Sequence, residues 1–424
     1  MDSFTFPSEI LALNENTPFG HTLLPYFHLK PGFLNVNHGS LGAPPRAIIQ
    51  ARRHYEDRME ECPDAWFMLH YGKQSNRVTE ELREFVGVRD SPEDGAGVGD
   101  LVLTRNATFA MNSILRAWPW NRGDKILYLC EAYLMVKLSV QFLKDTLGVE
   151  AVEVPMRCPI SDNDLISLVQ AALDEHRSSI KMAVFSHISA APAFILPIKC
   201  LIDLCRSRDV PCVIDGAHAL GQIDVDMTQL DPDFYIANGH KWFMTSKGAA
   251  FLYAKKKWRS RLHPVIVTYG YGESDPRKEF RYQGVSDYSA YFTFSTAMKF
   301  RKLLGEKRIQ NYCHRLCLQA GKVMAEIWGT ELLISDEHQL GAMCNVRLPL
   351  GGPLRANSDS FVRHLVKELY LHYNTYLLVN YSQDGAWYAR ISAQIYNEIS
   401  DFRMVAEWVL QIMDQMMGEY YAGN

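Results

Sequence analysis

One lysine of the sequence is placed where its amine would be reactive. Lys241 lies between His240 and Trp242 in the segment FYIANGHKWFMTSKGAAFLYAKK, ahead of a glycine-containing turn and a strand. Burial in such a setting removes water from the amine, which lowers its pKa and frees it to condense with an aldehyde. A surface lysine that follows a turn is the alternative this segment leaves open.

A carboxylate ends an apolar run elsewhere in the chain. Asp215 closes the strand-like part of PCVIDGAHALGQIDVD, and His218 follows one turn later. Ligands bind at the carboxyl ends of strands in open parallel sheets. A carboxylate there can pair with the protonated ring nitrogen of a pyridinium cofactor, which keeps the ring an electron sink. Capping of the next helix by Asp215 is the alternative.

The segment TRNATFAMNSILRAW follows the strand LVLT and predicts a polar turn that opens a helix. The free N–H groups of a helix start bind phosphate, and Thr108 beside Ala107 adds a hydroxyl. A simple capped helix fits the segment equally well. The glycine-rich run DGAGVGD at 94–100 comes before the strand and opens no helix, so it is not a dinucleotide-binding fingerprint.

Two further polar residues lie in strand-like runs. His187 follows Ser186 at the end of MAVFSH, where it is either a ligand-binding residue or a buried structural histidine. Arg390 lies in WYARISAQ between aromatic and apolar neighbours. A guanidinium in a strand needs a partner, and its natural partner is the carboxylate of a substrate or of the protein itself.

The elements that must position these residues follow a regular order. From about 50 to 285, short apolar runs alternate with helical stretches, which predicts a mostly parallel sheet covered by helices on both faces. A long helix from about Ser289 to Trp328 follows, and then the strands MCNVRLP, TYLLVNY and WYARISAQ. We therefore predict an N-terminal arm over 1–50 that joins the small domain, a large domain over 51–288, and a small α+β domain over 289–424.

Composition limits the classes of function. The 424 residues are 47% hydrophobic and carry a net charge of −4, and no long basic run argues for nucleic acid or a membrane surface. The nine cysteines are scattered without a CxxC pair, which disfavours a disulfide framework and a structural zinc site. With no signal peptide or membrane-spanning run in the sequence, we expect a cytoplasmic protein whose partners are small molecules or a second copy.

Taken together, the segments resemble the class V aminotransferase-like enzymes that use pyridoxal 5'-phosphate (PLP). The similarity is greatest to the branch of isopenicillin N epimerase-like proteins and the fungal carbon–sulfur lyases of ergothioneine biosynthesis. The marks occur in the family's order, and they are LNVNHGSLG, TRNATFAMN, the SHI strand end, DGAH, NGHKW, YQGVSDYSA and RISAQIYNE. The resemblance implies the α/β fold type I of PLP-dependent transferases, with a seven-stranded sheet, and a homodimer that shares its active sites.

The resemblance also implies roles for the matching residues. Lys241 would form the internal aldimine and later act as the base at Cα, and Tyr133 would lie near the cofactor. In an elimination, Tyr133 or a histidine would assist the leaving group. Arg390 would bind the substrate α-carboxylate, with Asn37 and His38 lining the entrance. The remaining cofactor-binding residues would be Asp215 at the pyridine nitrogen, His218 near the phenolic oxygen, Ala107 and Thr108 at the phosphate, and His187, Asn238 and His240 around them.

The sequence departs from the family pattern in two places. The family commonly has Gly-Thr before the aspartate of a late loop, where the threonine reaches the partner's phosphate, but this chain has Gly284, Val285, Ser286 and Asp287. Valine cannot donate that hydrogen bond, so Ser286 is the candidate replacement. The stretch SAAPAF after His187 has fewer hydroxyls than in relatives, which implies an altered pocket.

The leading expectation is elimination or replacement of the side chain of an α-amino acid, of the carbon–sulfur lyase kind and in specialised metabolism, through the Lys241 aldimine and a Cα carbanion. Epimerisation and transamination are the alternatives. A persulfide-forming desulfurase is disfavoured because Cys344 lies in a strand-like run rather than in a loop. A hydrolase with a metal held by His187, Asp215, His218 and His240 leaves Lys241, the phosphate-type helix start and Arg390 unexplained. A non-catalytic binding protein of the same fold is a further alternative.

Overall fold

The computed structural model describes residues 4–89, 100–273, 275–350, 358–382 and 384–423. Its main sheet has seven strands in the order β1-β7-β6-β5-β4-β2-β3. β7 runs antiparallel to β1 and β6, and the other neighbouring strands are parallel, which confirms the predicted mostly parallel sheet. The strands are β1 Asp100–Thr104, β2 Lys125–Leu129, β3 Glu150–Val154, β4 Ile180–Ser186, β5 Cys212–Asp215, β6 Phe234–Asn238 and β7 Ala250–Ala254.

Helices connect these strands and follow them in the chain, and none in the described ranges is long and apolar enough to cross a bilayer. The longer helices are Arg46–Glu61, Tyr71–Phe85, Ala107–Ala117, Leu134–Leu147, Asp162–Glu175, Ile198–Arg206, Ser289–Leu304, Glu306–Trp328, Ser358–His372 and Ile399–Gly423. The shorter ones are Ser8–Leu11, His38–Leu41, Pro63–Ala65, Met227–Leu230 and Pro276–Arg281.

The sheet is buried on both faces except at its edge strand β3, because the other strands are apolar at most positions. In β2, Leu127 and Leu129 belong to one core, whereas Ile126 and Tyr128 point to the opposite face and pack in a second core with Ile114. Successive strand side chains point to opposite faces, so an unbroken apolar run requires a cover on each side. The polar residues at the strand ends are left at the edge of this sandwich.

A second sheet of three antiparallel strands has the order β8-β10-β9. Its strands are β8 Met343–Arg347, β9 Leu378–Tyr381 and β10 Trp387–Ser392. The N-terminal arm reaches this sheet through a bridge from Asn37 to Ser392. Phe292, just beyond the predicted boundary at 288, packs its ring on Tyr55 and Tyr71. The division of the chain into domains stays a prediction.

The long helix predicted from Ser289 to Trp328 is wrong in one respect. The structure has two helices, Ser289–Leu304 and Glu306–Trp328, separated by Gly305 at a φ of 83°. Glycine adopts this left-handed conformation without the steric cost that a side chain brings, so it ends one helix and turns the chain into the next. The run at 94–100 lies outside the described residues except for Asp100, which begins β1.

Candidate active site

Several strands of the main sheet end at one edge and enclose a pocket of about 260 Å³. β1, β2, β4, β5 and β6 point the same way, so the residues that follow them meet there. The lining residues are Ser40, Leu41, Asn106, Ala107, Thr108, Tyr133, Met135, Ser186, Ile188, Ala190, Asp215, Ala217, His218, Asn238, His240 and Lys241. The pocket therefore brings Lys241 together with seven other residues that the sequence predicted to be cofactor-binding or catalytic.

The amine of Lys241 faces this pocket. Its Nζ lies 2.9 Å from Nε2 of His218. Burial lowers the pKa of Lys241 to about 8, while the Asp215 carboxylate acts in the opposite direction and Arg390 adds to the lowering. A larger fraction of the amine is thus uncharged at neutral pH than in an exposed lysine, which is what a nucleophile or a base requires.

Asp215 ends β5 and is buried at the pocket wall. Its Oδ1 accepts a hydrogen bond from the N–H of Ala217 at 3.0 Å, within a turn rather than at the start of a helix. Burial raises the pKa of Asp215 above its ordinary value, and the charge of Lys241 opposes that rise. A cationic partner in the pocket would favour the ionised carboxylate, so the site suits a protonated ring nitrogen.

The helix Ala107–Ala117 begins at the pocket, but two of its first N–H groups already have partners. Asn106 caps the helix by accepting from the N–H of Phe109 at 2.8 Å. The N–H of Ala107 donates to Oδ1 of Asn238 at 2.9 Å. In this geometry Ala107 does not offer its N–H to a phosphate, contrary to its predicted role, whereas Thr108 lines the pocket with an exposed side chain.

Arg390 of β10 is buried next to the pocket, where it contacts the lining residues Ala190 and Ser40. Its Nη1 donates to the carbonyl of Ala190 at 2.9 Å, and its Nη2 donates to Oγ of Ser40 at 2.6 Å and to Oδ1 of Asn37 at 3.0 Å. Its Nε has no partner in the described part of the chain, and burial lowers the pKa of the guanidinium to about 10. Neutral oxygens hold this cation, so it retains an uncompensated charge for an incoming carboxylate.

Of three other predicted residues, His240 and Tyr133 line the pocket and Ser286 does not. His240 lines the pocket with its buried Nδ1 unpartnered among the described residues, and burial lowers its pKa to about 4. Tyr133 lines the pocket mouth and is 55% exposed. Ser286 is not among the lining residues, so its contact with a partner's phosphate stays a prediction.

His187 is placed away from the pocket, contrary to the prediction that it binds the cofactor. Its Nδ1 lies 2.7 Å from the hydroxyl of Tyr235, and burial lowers its pKa to about 3. Because neighbouring strand residues point to opposite faces, Ser186 turns toward the pocket and His187 turns away. His187 is therefore a buried structural histidine, which was the alternative that the sequence left open.

His38 does not line an entrance, because it is fully buried. Its Nδ1 lies 2.9 Å from the hydroxyl of Tyr396, and its Nε2 lies 3.0 Å from the carbonyl of Lys241. Asn37 likewise acts through Arg390, whose Nη2 it binds. His38 thus holds the backbone of Lys241 and Asn37 holds the side chain of Arg390, whereas both were predicted to line the entrance.

A buried pair beside the pocket, Ser186 with Glu131, was not predicted from the sequence. Oγ of Ser186 donates to Oε2 of Glu131 at 3.1 Å, and Oε1 of Glu131 has no partner within the described ranges. Burial raises the pKa of Glu131 to about 8. Both residues stand at the carboxyl ends of strands, β4 and β2, and this position was the signal available in the sequence. No group of three or more His, Cys, Asp or Glu side chains in the described structure is placed to hold a metal ion.

Comparison with known proteins identifies the family. The family model Aminotransferase class-V matches residues 43–354. The chain belongs to this family. It is also 30% identical over 417 residues to the putative L-cysteine desulfhydrase 1 of Oryza sativa subsp. japonica, covering 91% of this chain and 84% of the relative.

Two other relatives match the branch suggested by the sequence motifs. The hercynylcysteine sulfoxide lyase of Schizosaccharomyces pombe is 27% identical, with 93% of this chain and 97% of that protein covered. The isopenicillin N epimerase of Streptomyces clavuligerus is 25% identical, with 76% of this class-V chain and 83% of that protein covered. The predicted branch is thereby confirmed.

A solved structure shares the fold of this class-V protein. The cystine C-S lyase C-DES, in complex with its product cysteine persulfide, superposes with a TM-score of 0.74 at 18% identity, covering 89% of this chain and 98% of that one. Fold type I is therefore confirmed, and the cofactor of the family, pyridoxal 5'-phosphate, is the cofactor of this enzyme. The unpartnered Nδ1 of His240 and the amine of Lys241, both in one pocket, fit this group.

Proposed function

We propose that the protein cleaves a carbon–sulfur bond in the side chain of an α-amino acid. This reaction is supported by relatives named putative L-cysteine desulfhydrase 1 and hercynylcysteine sulfoxide lyase, whose alignments cover 84% and 97% of their own lengths. The observation that carries it is the position of Lys241, whose amine lies in a pocket next to a guanidinium without a carboxylate partner.

The described residues supply the contacts that the cofactor needs. Lys241 would bind it covalently, Asp215 would hold its ring nitrogen, and His218 would lie near its phenolic oxygen. Thr108 would contact its phosphate and Tyr133 its ring, since both line the pocket mouth. When bound, pyridoxal 5'-phosphate is an electron sink that stabilises negative charge on the Cα of an amino acid.

The side chains of this chain then bind the substrate and move its protons. Arg390 orients the amino acid through its α-carboxylate, which places the Cα–H bond toward Lys241. The uncharged Nζ accepts the α-proton, and the hydroxyl of Tyr133 donates a proton to the departing sulfur. With cysteine as substrate, the bonds broken are Cα–H and Cβ–S, and hydrolysis by water gives pyruvate, ammonia and hydrogen sulfide.

The cysteines of the chain favour release of sulfur with the product. None of the nine lines the pocket with Lys241. Cys344 is buried in β8, and burial raises the pKa of Cys158, in a neighbouring cavity, to about 12. A thiol that stays protonated is a poor acceptor of sulfur, so a protein persulfide is not part of the proposed reaction.

Epimerisation of an α-amino acid is the second candidate, supported by the match to isopenicillin N epimerase. It needs a proton donor on the face of Cα opposite Lys241, and Tyr133 is a side chain available for that role. Transamination ranks third. The three reactions begin with the same proton transfer to Lys241 and differ in the bonds that change after it.

Two measurements test the proposal. The wild-type protein should absorb visible light through its bound cofactor, and both borohydride and the substitution Lys241→Ala should abolish that band. Incubation with cysteine and S-substituted cysteines in deuterated water should release pyruvate and the thiol. Deuterium uptake with inverted configuration and no keto acid would establish epimerisation instead, and rapid nitrogen exchange with a keto acid would establish transamination.

We further propose that the protein forms a homodimer with shared active sites. Leu41 and Tyr133 line the pocket and are 69% and 55% exposed, and Leu134 and Leu138 continue this apolar surface along one helix. Apolar patches of this kind on a soluble protein mark association surfaces. A second subunit placed there would close the pocket mouth, and its own Ser286 could then take the place of the missing threonine at the phosphate.

A further inference from the structure

Trp242, the residue after Lys241, makes a contact that determines where a neighbouring proton lies. The indole is buried, and its Nε1 lies 3.3 Å from Nδ1 of His218. An indole N–H donates hydrogen bonds and cannot accept them. Nδ1 of His218 must therefore be the acceptor, and it carries no proton.

The other nitrogen of the same ring then carries the proton. A neutral imidazole has one N–H, and with Nδ1 as acceptor this N–H is on Nε2. Nε2 lies 2.9 Å from Nζ of Lys241 and donates to it. The acceptor at Nζ must be a lone pair, which an amine has and an ammonium ion lacks.

Other assignments of the protons leave one of the two contacts without an acceptor. An imidazolium would point one N–H at the indole N–H of Trp242. An ammonium at Lys241 would require Nε2 to accept, which moves the proton of His218 to Nδ1 and again opposes the indole. Rotation of the ring by 180° would place carbon atoms against both partners.

The charged groups around the pair agree with this assignment. Burial lowers the pKa of His218 well below its ordinary value, and the neighbouring Lys241, Arg390 and His240 act in the same direction. Asp215 is the acidic neighbour and acts in the opposite direction on Lys241, but burial is the larger effect on its pKa. His38 contacts the backbone carbonyl of Lys241 and not its amine.

We propose that Trp242 is a positioning residue that holds His218 in the Nε2–H tautomer and thereby favours the uncharged form of Lys241. The inference deepens the proposed function, because an uncharged amine is the form that condenses with an aldehyde and accepts an α-proton. The proton positions themselves do not depend on a bound cofactor. They are therefore measurable in the full-length chain after the cofactor has been removed with hydroxylamine.

The substitution Trp242→Phe tests the role, with Trp328→Phe as its matched control. Trp328 is equally a buried tryptophan, but its Nε1 donates to the carbonyl of Ala406, away from the pocket. The first readout is the nitrogen-15 spectrum of the histidines, with His218 assigned from its loss in His218→Gln. The second is the pH dependence of reductive alkylation of Lys241 by formaldehyde, followed by peptide mass spectrometry.

We expect His218 to be protonated on Nε2 in the wild type and in Trp328→Phe. In Trp242→Phe, freed Nδ1 takes the proton in part of the molecules, Nε2 then accepts from the ammonium, and the apparent pKa of Lys241 rises by about one unit, so alkylation at pH 7 slows about tenfold. Protonation of Nδ1 in the wild type would overturn the proposal, as would an unchanged pH profile in Trp242→Phe.

The wild-type spectrum decides the tautomer even if Trp242→Phe fails to fold. Failure of the proposed function is a separate result. A protein that releases no pyruvate from any cysteine derivative, yet shows the Nε2–H tautomer and the shifted profile, retains the inference about Trp242 and loses the proposed reaction.

Discussion

The charge state of single residues governs this site. Burial disfavours the charged form of three residues of this region, and it shifts the pKa values of Lys241, Arg390 and Glu131 accordingly. Desolvation disfavours the charged form of any group, and partners in the protein oppose it only in part. A ligand with the complementary charge or hydrogen-bonding group can offset the remaining cost of desolvation. These three residues are therefore the most informative ones to change.

Replacement of Arg390 by lysine should weaken substrate binding more than turnover. The guanidinium uses Nη1 and Nη2 on Ala190 and Ser40 and keeps its charge for a carboxylate. A lysine has no fork to make these contacts together. We expect KM for the amino acid to rise ten- to a hundredfold, about 1.5–3 kcal/mol, with a smaller change in kcat. Arg347→Lys, in β8 and paired with Glu331, is the control and should leave KM within twofold. Equal KM values in both variants would contradict the role of Arg390.

Glu131 should make the stability of the protein depend on pH. Its pKa is raised from 4.5 to about 8, so between these values the folded state keeps a proton that the unfolded chain releases. The stabilisation is complete below about pH 4.5 and is lost as the pH rises through 8. Relative to Glu131→Gln, the wild type should lose up to about 3 kcal/mol of unfolding free energy between pH 5.5 and 7.5, measured by urea denaturation. Glu175→Gln, on the surface, is the control, and parallel curves for wild type and Glu131→Gln would refute the shift.

At the level of elements, the sequence was sufficient where local pattern decides the structure. Apolar runs separated by helices predicted the parallel sheet. The residues that end its strands were predicted to lie near Lys241, because the carboxyl ends of parallel strands share one edge of the sheet. The sequence was insufficient where contacts with residues distant in the chain determine the position of a side chain. His38 is buried by Tyr396 and by the backbone of Lys241, and the rotation of His187 toward Tyr235 depends on the register of β4.

The cap of the Ala107–Ala117 helix offers a test at this scale. Asn106 accepts from the N–H of Phe109, so Asn106→Ala should lower stability by about 1 kcal/mol and also weaken cofactor binding, because this helix start lines the pocket. Ser161 caps the Asp162–Glu175 helix by accepting from Asp164, away from the pocket. Ser161→Ala should lose similar stability in urea while the cofactor affinity, measured by fluorescence titration, stays unchanged. If both variants bind the cofactor equally well, the helix start does not contribute to its site.

At the level of the whole molecule, the pocket is open on one side. Leu134, Leu138 and Phe142 recur every four residues along one helix and are all exposed, although a helix in a lone subunit would bury such a stripe. The stripe begins next to Tyr133, at the pocket mouth. A subunit that covers it would complete the site, so oligomeric state and activity should change together.

The substitution Leu138→Glu tests this coupling. In a two-fold dimer each substitution occurs twice, so one change places two carboxylates in an apolar contact that no longer gains the roughly 1.5–3 kcal/mol of each buried leucine. We expect sedimentation equilibrium to show twice the chain mass for the wild type and a largely monomeric Leu138→Glu with reduced turnover. Leu371→Glu changes a leucine of another helix that is 54% exposed, against 58% for Leu138, and should remain dimeric and active. A wild type that sediments as a monomer would contradict the shared site, and a dimeric, active Leu138→Glu would move the contact to another face.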